Sequence, residues 1–416
     1  MASLKNRMII ILLILLIFIT NIAMISSISS GFVQTRGTRF LLNKSPFLFN
    51  GFNSYWMMHI AANPNERYKV SNVFRDAVAA GLTVCRTWAF SDGGGGEALQ
   101  ISPGVYNEQV FQSLDFVVSE AKKYGIHLIL TLTNNYKDFG GRPQYVEWAR
   151  NAGANIDKDD DFYTNLIVKG YYKNHVQKVL SRMNTITGVA YKDEPTIMAW
   201  ELINEPRCVV DYSGKTIHAW VQEMAGYTKS IDRNHLLSVG MEGFYGDSIP
   251  KRKQFNPGYQ EYGTDFISNH LIKEIDFATI HSYADAWLPS ENNEAQMIFV
   301  QRWIMSHTID TKKILKKPLV FSEFGKSIKE HGYNISTRDA FMNSIYTSIY
   351  GVARKGALAG GLVWQILAEE MESYDDGYGI VLSQSPSTRG IISLQSHQMN
   401  DLQKKMGRTH DFIFNN

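Results

Sequence analysis

Cysteine is close to absent: Cys85 and Cys208 are the only two in 416 residues. That excludes a small disulfide-built scaffold, and a chain of this length can bury a core without bridges. The two sit toward the ends of different apolar runs, so two free thiols are expected over a Cys85–Cys208 bridge. No cysteine–histidine cluster has zinc spacing and no His-Glu-x-x-His occurs, so no metal is expected. The dinucleotide fingerprint is also missing. The run "DGGGGE" at Asp92 lacks the spacing and the lysine of a phosphate loop and reads as a flexible loop, so no cofactor is expected. There are no internal repeats, no low-complexity tract and no linker marking a second domain.

An excess of one charge is lacking too. Two basic residues and no acidic ones lie in residues 1–30, and without them the chain carries 40 basic against 40 acidic residues. A near-neutral protein with no concentrated basic face is not expected to bind nucleic acid or an anionic membrane. An uncharged partner fits better.

Long hydrophobic stretches occur only at the start. Lys5 and Arg7 precede an unbroken apolar run from Met8 to Ile19, and "SSISSG" follows near Ser26 to Gly31. A basic start, an apolar middle and a small-residue exit make residues 1–30 a secretory signal peptide, with residues 31–416 as the mature unit. The alternative is an uncleaved anchor, since counting Ile22 to Ile25 brings the stretch near the ~20 residues of a spanning helix. Once cleaved, the protein is expected outside the cell, in the cell wall space, without stable membrane association. Sequons at Asn43 and Asn334 fit a secreted surface, Pro46 making the first the poorer one.

What is present is a series of short apolar runs. Eight recur: "FLFNGFN" at Phe47, "LTVCRTWAF" at Leu82, "IHLILTLTNN" at Ile126, "TIMAWELINE" at Thr196, "LLSVGMEGF" at Leu236, "DFATIHSY" at Asp276, "PLVFSEFG" at Pro318 and "GGLVWQILAE" at Gly360. Continuous apolar runs of this length are strands buried on both faces. Amphipathic segments stand between several of them. In "NEQVFQSLDFVVSEAKKYG", Val110, Phe111, Leu114, Val117, Val118 and Ala121 recur at helical spacing before Gly125. "TIHAWVQEMAGYTKSID" reads the same way. Strands alternating with helices give a parallel sheet, and eight of them predict a single-domain (β/α)8 TIM barrel. "RGTRFLLNKSPFLFN" predicts a short N-terminal β-hairpin turning at Asn43 to Ser45 and plugging the barrel's bottom. The longest βα loops follow the fifth, sixth and eighth runs and are rich in Tyr, Trp, Asn and Asp, a mixture that suits sugar rings and their hydroxyls.

In a barrel, chemistry sits at the C-terminal ends of the strands. The fourth run ends in Asn204-Glu205-Pro206 and the seventh in Ser322-Glu323-Phe324-Gly325. Strands four and seven face each other across the mouth, so Glu205 and Glu323 form a pair of acids over a neutral, aromatic-rimmed cleft. That is the equipment of a glycosidase: one carboxyl protonates the leaving oxygen and the other attacks the anomeric carbon or activates water. Either glutamate alone would read as a solvated loop acid. The acids of "EALQ", "AEEMES" and "KDEP" are assigned to surface or loop roles, and Trp200 to the core.

These residues carry a resemblance. The stretches "GFNSYWMM", "GLTVCRTWAFSDGG", "YKDEPTIMAWELINEPRC", "EGFYG", "GTDFISNHLIKEIDFATIHSY", "SEFGKS" and "MESYDDGYGIVLSQSPST" resemble glycoside hydrolase family five and, within it, plant endo-β-1,4-mannanases. The likeness spans roughly residues 36 to 400. It implies endo-cleavage of mannan, glucomannan and galactomannan with retention, Glu205 as acid/base and Glu323 as nucleophile. It further implies that Arg86 and Tyr283 hold Glu323, that Asn204 holds the sugar 2-hydroxyl, and that His281 bonds around the acid/base. Trp364 becomes the sugar platform and Trp88 a second aromatic wall. Arg86 is expected to keep Glu323 anionic, whose charge then raises Glu205. Two departures lie in rim loops: Ala284 stands where proline is expected, and "DGGGGEALQ" is unusually glycine-rich. The rivals are a hydrolase or transglycosylase of another β-1,4-glycan, such as cellulose or xylan, and a glycan-binding relative without catalysis. The oligomeric state is left open.

Overall fold

The computed structural model describes residues 31–414, with side chains to residue 408 in the last helix. The signal segment read at residues 1–30 lies outside the described residues. Among the described residues, no helix is long and apolar enough to cross a membrane.

Each of the eight apolar runs contains one strand of a single parallel sheet: Phe49–Asn53, Val84–Trp88, His127–Thr131, Ile197–Glu201, Leu236–Ser238, Ala278–Ser282, Leu319–Phe324 and Gly360–Val363. They are called the first to eighth barrel strands below. The first pairs with both the second and the eighth, which an open doubly wound sheet does not do. The fifth and sixth meet at the seam through single bonds rather than a ladder. The Asp276 N–H donates to the Leu237 carbonyl at 2.8 Å, and the Leu237 N–H donates to the Asp276 carboxylate at 2.8 Å. The strands are shorter than the apolar runs, because the residues after each one leave the ladder to build the rim.

Helices pack outside with the predicted faces inward. Glu108–Tyr124 starts where the Asn107 side chain accepts from the Gln109 and Val110 N–H groups. It stops at Gly125, whose φ of 69° an L side chain adopts poorly. Lys215–Ile231 buries Ile217, Trp220, Val221 and Met224.

The barrel's bottom is closed by a three-stranded antiparallel meander, Gln34–Arg36, Arg39–Leu42 and Ser45–Phe47. The predicted hairpin is its second half, turning through Asn43 and Lys44 at φ 51° and 66°, and one more strand precedes it. Val33, Phe40 and Phe47 pack against Phe49, Val84, Ile129, Leu236, Phe277 and Val320 from the strand starts. Cys85 and Cys208 are both buried free thiols.

The second strand shows how one face is graded. Val84, Arg86 and Trp88 alternate and so share the inward side. Val84 joins the bottom core, Arg86 sits fully buried in mid-barrel, and Trp88 reaches the cleft above. Apolar packing below, charge at the middle and aromatic surface on top are therefore set by three positions of one strand.

Candidate active site

Glu205 lies four residues beyond the last paired residue of the fourth strand, Glu201. Its N–H donates to the Gly240 carbonyl at 2.8 Å, and the preceding Asn204 N–H donates to Thr133 at 2.9 Å. Pro206 disfavours the right-handed helical region for the residue before it. Glu205 takes φ 51°, a conformation that costs a non-glycine residue on the order of 1 kcal/mol. The asparagine–glutamate–proline run thus turns the chain sharply, aiming the carboxyl into the mouth.

Glu323 is aimed by a different device. Between Ile280 and His281 of the sixth strand one step is taken, while the seventh advances from Phe321 to Glu323. Ser322 is the extra residue of this bulge, and bulges re-aim side chains. Register then sets Glu323 beside His281.

The two carboxyls meet. Single donor atoms of Glu205, His281 and Glu323 all lie within 4.8 Å of one another. His281 Nδ1 is 2.7 Å from Glu205 Oε1 and 3.6 Å from Glu323 Oε1. The Tyr283 hydroxyl donates to Glu323 Oε2 at 2.6 Å, and Arg86 donates to Glu323 Oε1 at 2.5 Å. Arg86 also donates to Asn204 Oδ1 at 2.7 Å and to Glu201 Oε1 at 2.6 Å. A cation held by the three clustered donors would face this guanidinium across Glu323 Oε1.

Over the carboxyls runs a cleft of about 490 Å³. One wall is aromatic: Trp364 stands 6.1 Å from Trp88 and stacks on Tyr55 at 5.7 Å with 9° between planes. The Trp364 indole N–H donates to Asp376 at 2.6 Å, fixing the ring's tilt. Arg207 and Trp287 also line the cleft. All eight residues singled out from the sequence, Glu205, Glu323, Arg86, Trp88, Asn204, His281, Tyr283 and Trp364, are brought to this one place.

Comparison with known proteins agrees with the geometry. Residues 30–369 match the family model described as GH family 5 beta-mannosidase-like. The chain belongs to that family. It is 66% identical over 373 residues to mannan endo-1,4-beta-mannosidase 5 of Solanum lycopersicum, covering 89% of this chain and 90% of that one. It is 55% identical over 380 residues to mannan endo-1,4-beta-mannosidase 1 of Oryza sativa subsp. japonica, covering 91% and 88%. Among solved structures it resembles the endo-1,4-beta-mannanase of Rhizomucor miehei, with a TM-score of 0.75 and 32% identity over 90% of this chain and 100% of that one.

Within this family 5 glycoside hydrolase, several residues near the centre were not singled out from the sequence. Glu201 is wholly buried and accepts from Arg86 and from the Thr131 hydroxyl. An acid inside "IMAWELI" was itself the signal, because a charge in a buried strand needs a partner. Arg207 donates to the buried Glu242 at 2.5 Å, and burial above all pushes Glu242 up to about 7. Tyr55, Asp376 and Tyr378 come from loops whose paths the sequence did not define. Glu194, read as a loop acid from "KDEP", is buried and accepts from Lys122 at 3.0 Å.

The electrostatics differ from the expectation. Burial raises Glu323 above the usual carboxylate range, despite His281 and Arg86, and the Glu205 charge adds to the rise. For Glu205 burial acts upward as well, but the His281 hydrogen bond and charge, with Arg207 and Arg86, outweigh it and hold the carboxyl low. His281 sits above its ordinary range: burial works against it, but Glu323 and Glu205 prevail. His281 and Glu323 are thus both shifted toward their protonated forms, while Glu205, 2.7 Å from His281 Nδ1, is shifted toward its ionised form.

The two departures leave the centre intact. Ala284 is the first residue of the short helix Ala284–Trp287, a position where proline and alanine both fit. Gly94, Gly95 and Gly96 are exposed, with open space where a Cβ would stand.

Proposed function

We propose that this chain is a secreted, endo-acting β-1,4-mannan hydrolase that retains anomeric configuration, with residues 1–30 removed as a signal and residues 31–416 as the catalytic unit. The observation that carries the mechanism is the spacing of Glu205 and Glu323, with donor atoms within 4.8 Å. Carboxyls ~5 Å apart leave no room for an intervening water and favour direct attack. Family membership and the mannanase relatives support the substrate. A cleft that both glutamates line together with Tyr55, Trp364, Arg207 and Trp287 supports binding across an internal linkage.

Glu323 attacks the anomeric carbon while the glycosidic C–O bond breaks and a proton passes from Glu205 to the leaving oxygen. The 2.7 Å contact with His281 Nδ1 orients Glu205 Oε1 for this transfer. Glu205 then takes a proton from water, which attacks the glycosyl ester and frees Glu323. Arg86 and Tyr283 orient Glu323 and take up its returning charge. Asn204 bonds the sugar 2-hydroxyl, and Trp364 and Trp88 carry the ring face.

Initial rates on mannan, glucomannan and carboxymethylcellulose test the substrate. Rates on both mannans with none on the cellulose derivative are expected; cellulose cleavage without mannan cleavage would overturn the reading. Proton NMR of the first products reads the anomer: β products are expected, and α products would replace retention with inversion.

A further inference from the structure

A second groove, of about 320 Å³, opens beside the cleft between the loop after the fifth barrel strand and the helix Asn293–Asp310. Phe255, Leu288, Phe299 and Arg302 wall it. The cleft and the groove share one partition. Trp287 lines the cleft, its neighbour Leu288 lines the groove, and the Trp287 ring meets Phe299 edge-on at 6.2 Å.

The partition stands at the aglycone end. Glu205 delivers its proton to the leaving oxygen, so the leaving sugar lies on its side of the centre. Arg207, two residues on, has its guanidinium 4.6 Å from the Tyr262 ring and 5.4 Å from Phe244. Phe244 in turn packs on Trp287 at 5.2 Å. A chain leading away from the scissile bond on this side crosses Trp287 and meets the groove. Its lining also suits a sugar. Phe255 and Phe299 offer half-buried apolar surface, and the exposed Arg302 guanidinium, 5.9 Å from the Phe255 ring, offers donors to hydroxyls. A neutral polysaccharide uses both kinds of surface, whereas an anion would also meet Glu291 in the lining and find the nearby Arg252 already paired with Asp310.

We infer that the groove is a distal aglycone subsite, holding the leaving part of a long β-mannan chain beyond Trp287. The inference rests on the mannan reading and adds where polymer length is sensed.

The test compares wild type, Phe255→Ala and Arg302→Ala on soluble galactomannan and on mannotetraose. Both variants should raise the polymer KM about three- to tenfold, the loss of one stacking or hydrogen-bonding contact. Their kcat/KM on mannotetraose should stay within about twofold of wild type. Arg302 is exposed, so its variant controls for folding, and its melting temperature should not move. An unchanged polymer KM in a folded Arg302→Ala protein would overturn the subsite, as would an equal loss on the tetrasaccharide. A wild type inactive on both substrates would instead overturn the mannan reading, and the subsite with it.

Discussion

The Arg86 guanidinium meets the Glu323 carboxylate at 2.5 Å, with both side chains almost wholly out of solvent. The same guanidinium reaches Glu201 at 2.6 Å, so one cation stands between two buried acids. Its charge persists because Glu201 and Glu323 outweigh the burial that acts against it. Removing one member of such a group leaves an uncompensated buried charge. Arg86→Ala is expected to lower unfolding free energy by about 3–5 kcal/mol. Arg86→Lys keeps the charge but not the fork that spans Glu201, Asn204 and Glu323, so Glu323 loses its aim and kcat falls on the order of 10²-fold. Urea denaturation and steady-state rates check the two together; a fully active Arg86→Lys enzyme would remove the orienting role.

The glutamates should separate by leaving group. Glu323→Gln is expected to abolish turnover of every substrate while mannan oligosaccharide still binds. Glu205→Ala is expected to lose about 10²–10⁴-fold on mannan, the usual size of general acid catalysis. It should lose far less on an aryl mannoside, whose leaving oxygen needs no proton. Equal losses on both substrates would remove Glu205 from the acid role.

His281 predicts a change in pH profile. His281 and Glu205 share a hydrogen bond of 2.7 Å, and the two glutamates raise the proton affinity of the imidazole against burial. His281→Asn removes that imidazole, so the alkaline limb of kcat/KM should move to lower pH. A profile that keeps its alkaline limb while the rate drops would make His281 a spacer only.

Asp92 predicts a stability effect away from the chemistry. Burial pushes its carboxyl up to about 8, only partly offset by hydrogen bonds from Gln100 and Tyr145. The folded state therefore binds a proton that the unfolded chain releases near its ordinary value of about 3.9. The associated stability is full below that value and is lost as pH rises toward 8. Asp92→Asn removes the dependence, and relative to wild type it should gain a few kcal/mol between about pH 5 and pH 9. Melting curves across that range check it; parallel curves would show that Asp92 does not titrate with folding.

How much of this was legible beforehand varies by residue. The barrel was legible because each strand is a contiguous apolar run and each cap a local choice: Asn107 opens one helix and Gly125 closes it. Glu205 was legible because Pro206 marks where the apolar run gives way to the rim, although the strand itself stops four residues before Glu205, at Glu201. Glu201 was within reach as a lone acid in a buried strand. The bulge at Ser322 was not, because an extra residue in one strand has meaning only against its neighbour. Nor were Tyr55 and Asp376, whose approach to Trp364 depends on loop paths.

By itself the sequence determined the period and order of the elements, the inward face of each, and which strand ends carry acid. Those follow from hydrogen-bond geometry and burial along a short stretch of chain. Only the tertiary structure decided that Arg86 serves two acids, that His281 turns Nδ1 toward Glu205, and that the neighbours shift Glu205 and Glu323 in opposite directions. These depend on distances between side chains from different strands, and at a few ångströms in a buried, water-poor site a small displacement reverses which charge prevails.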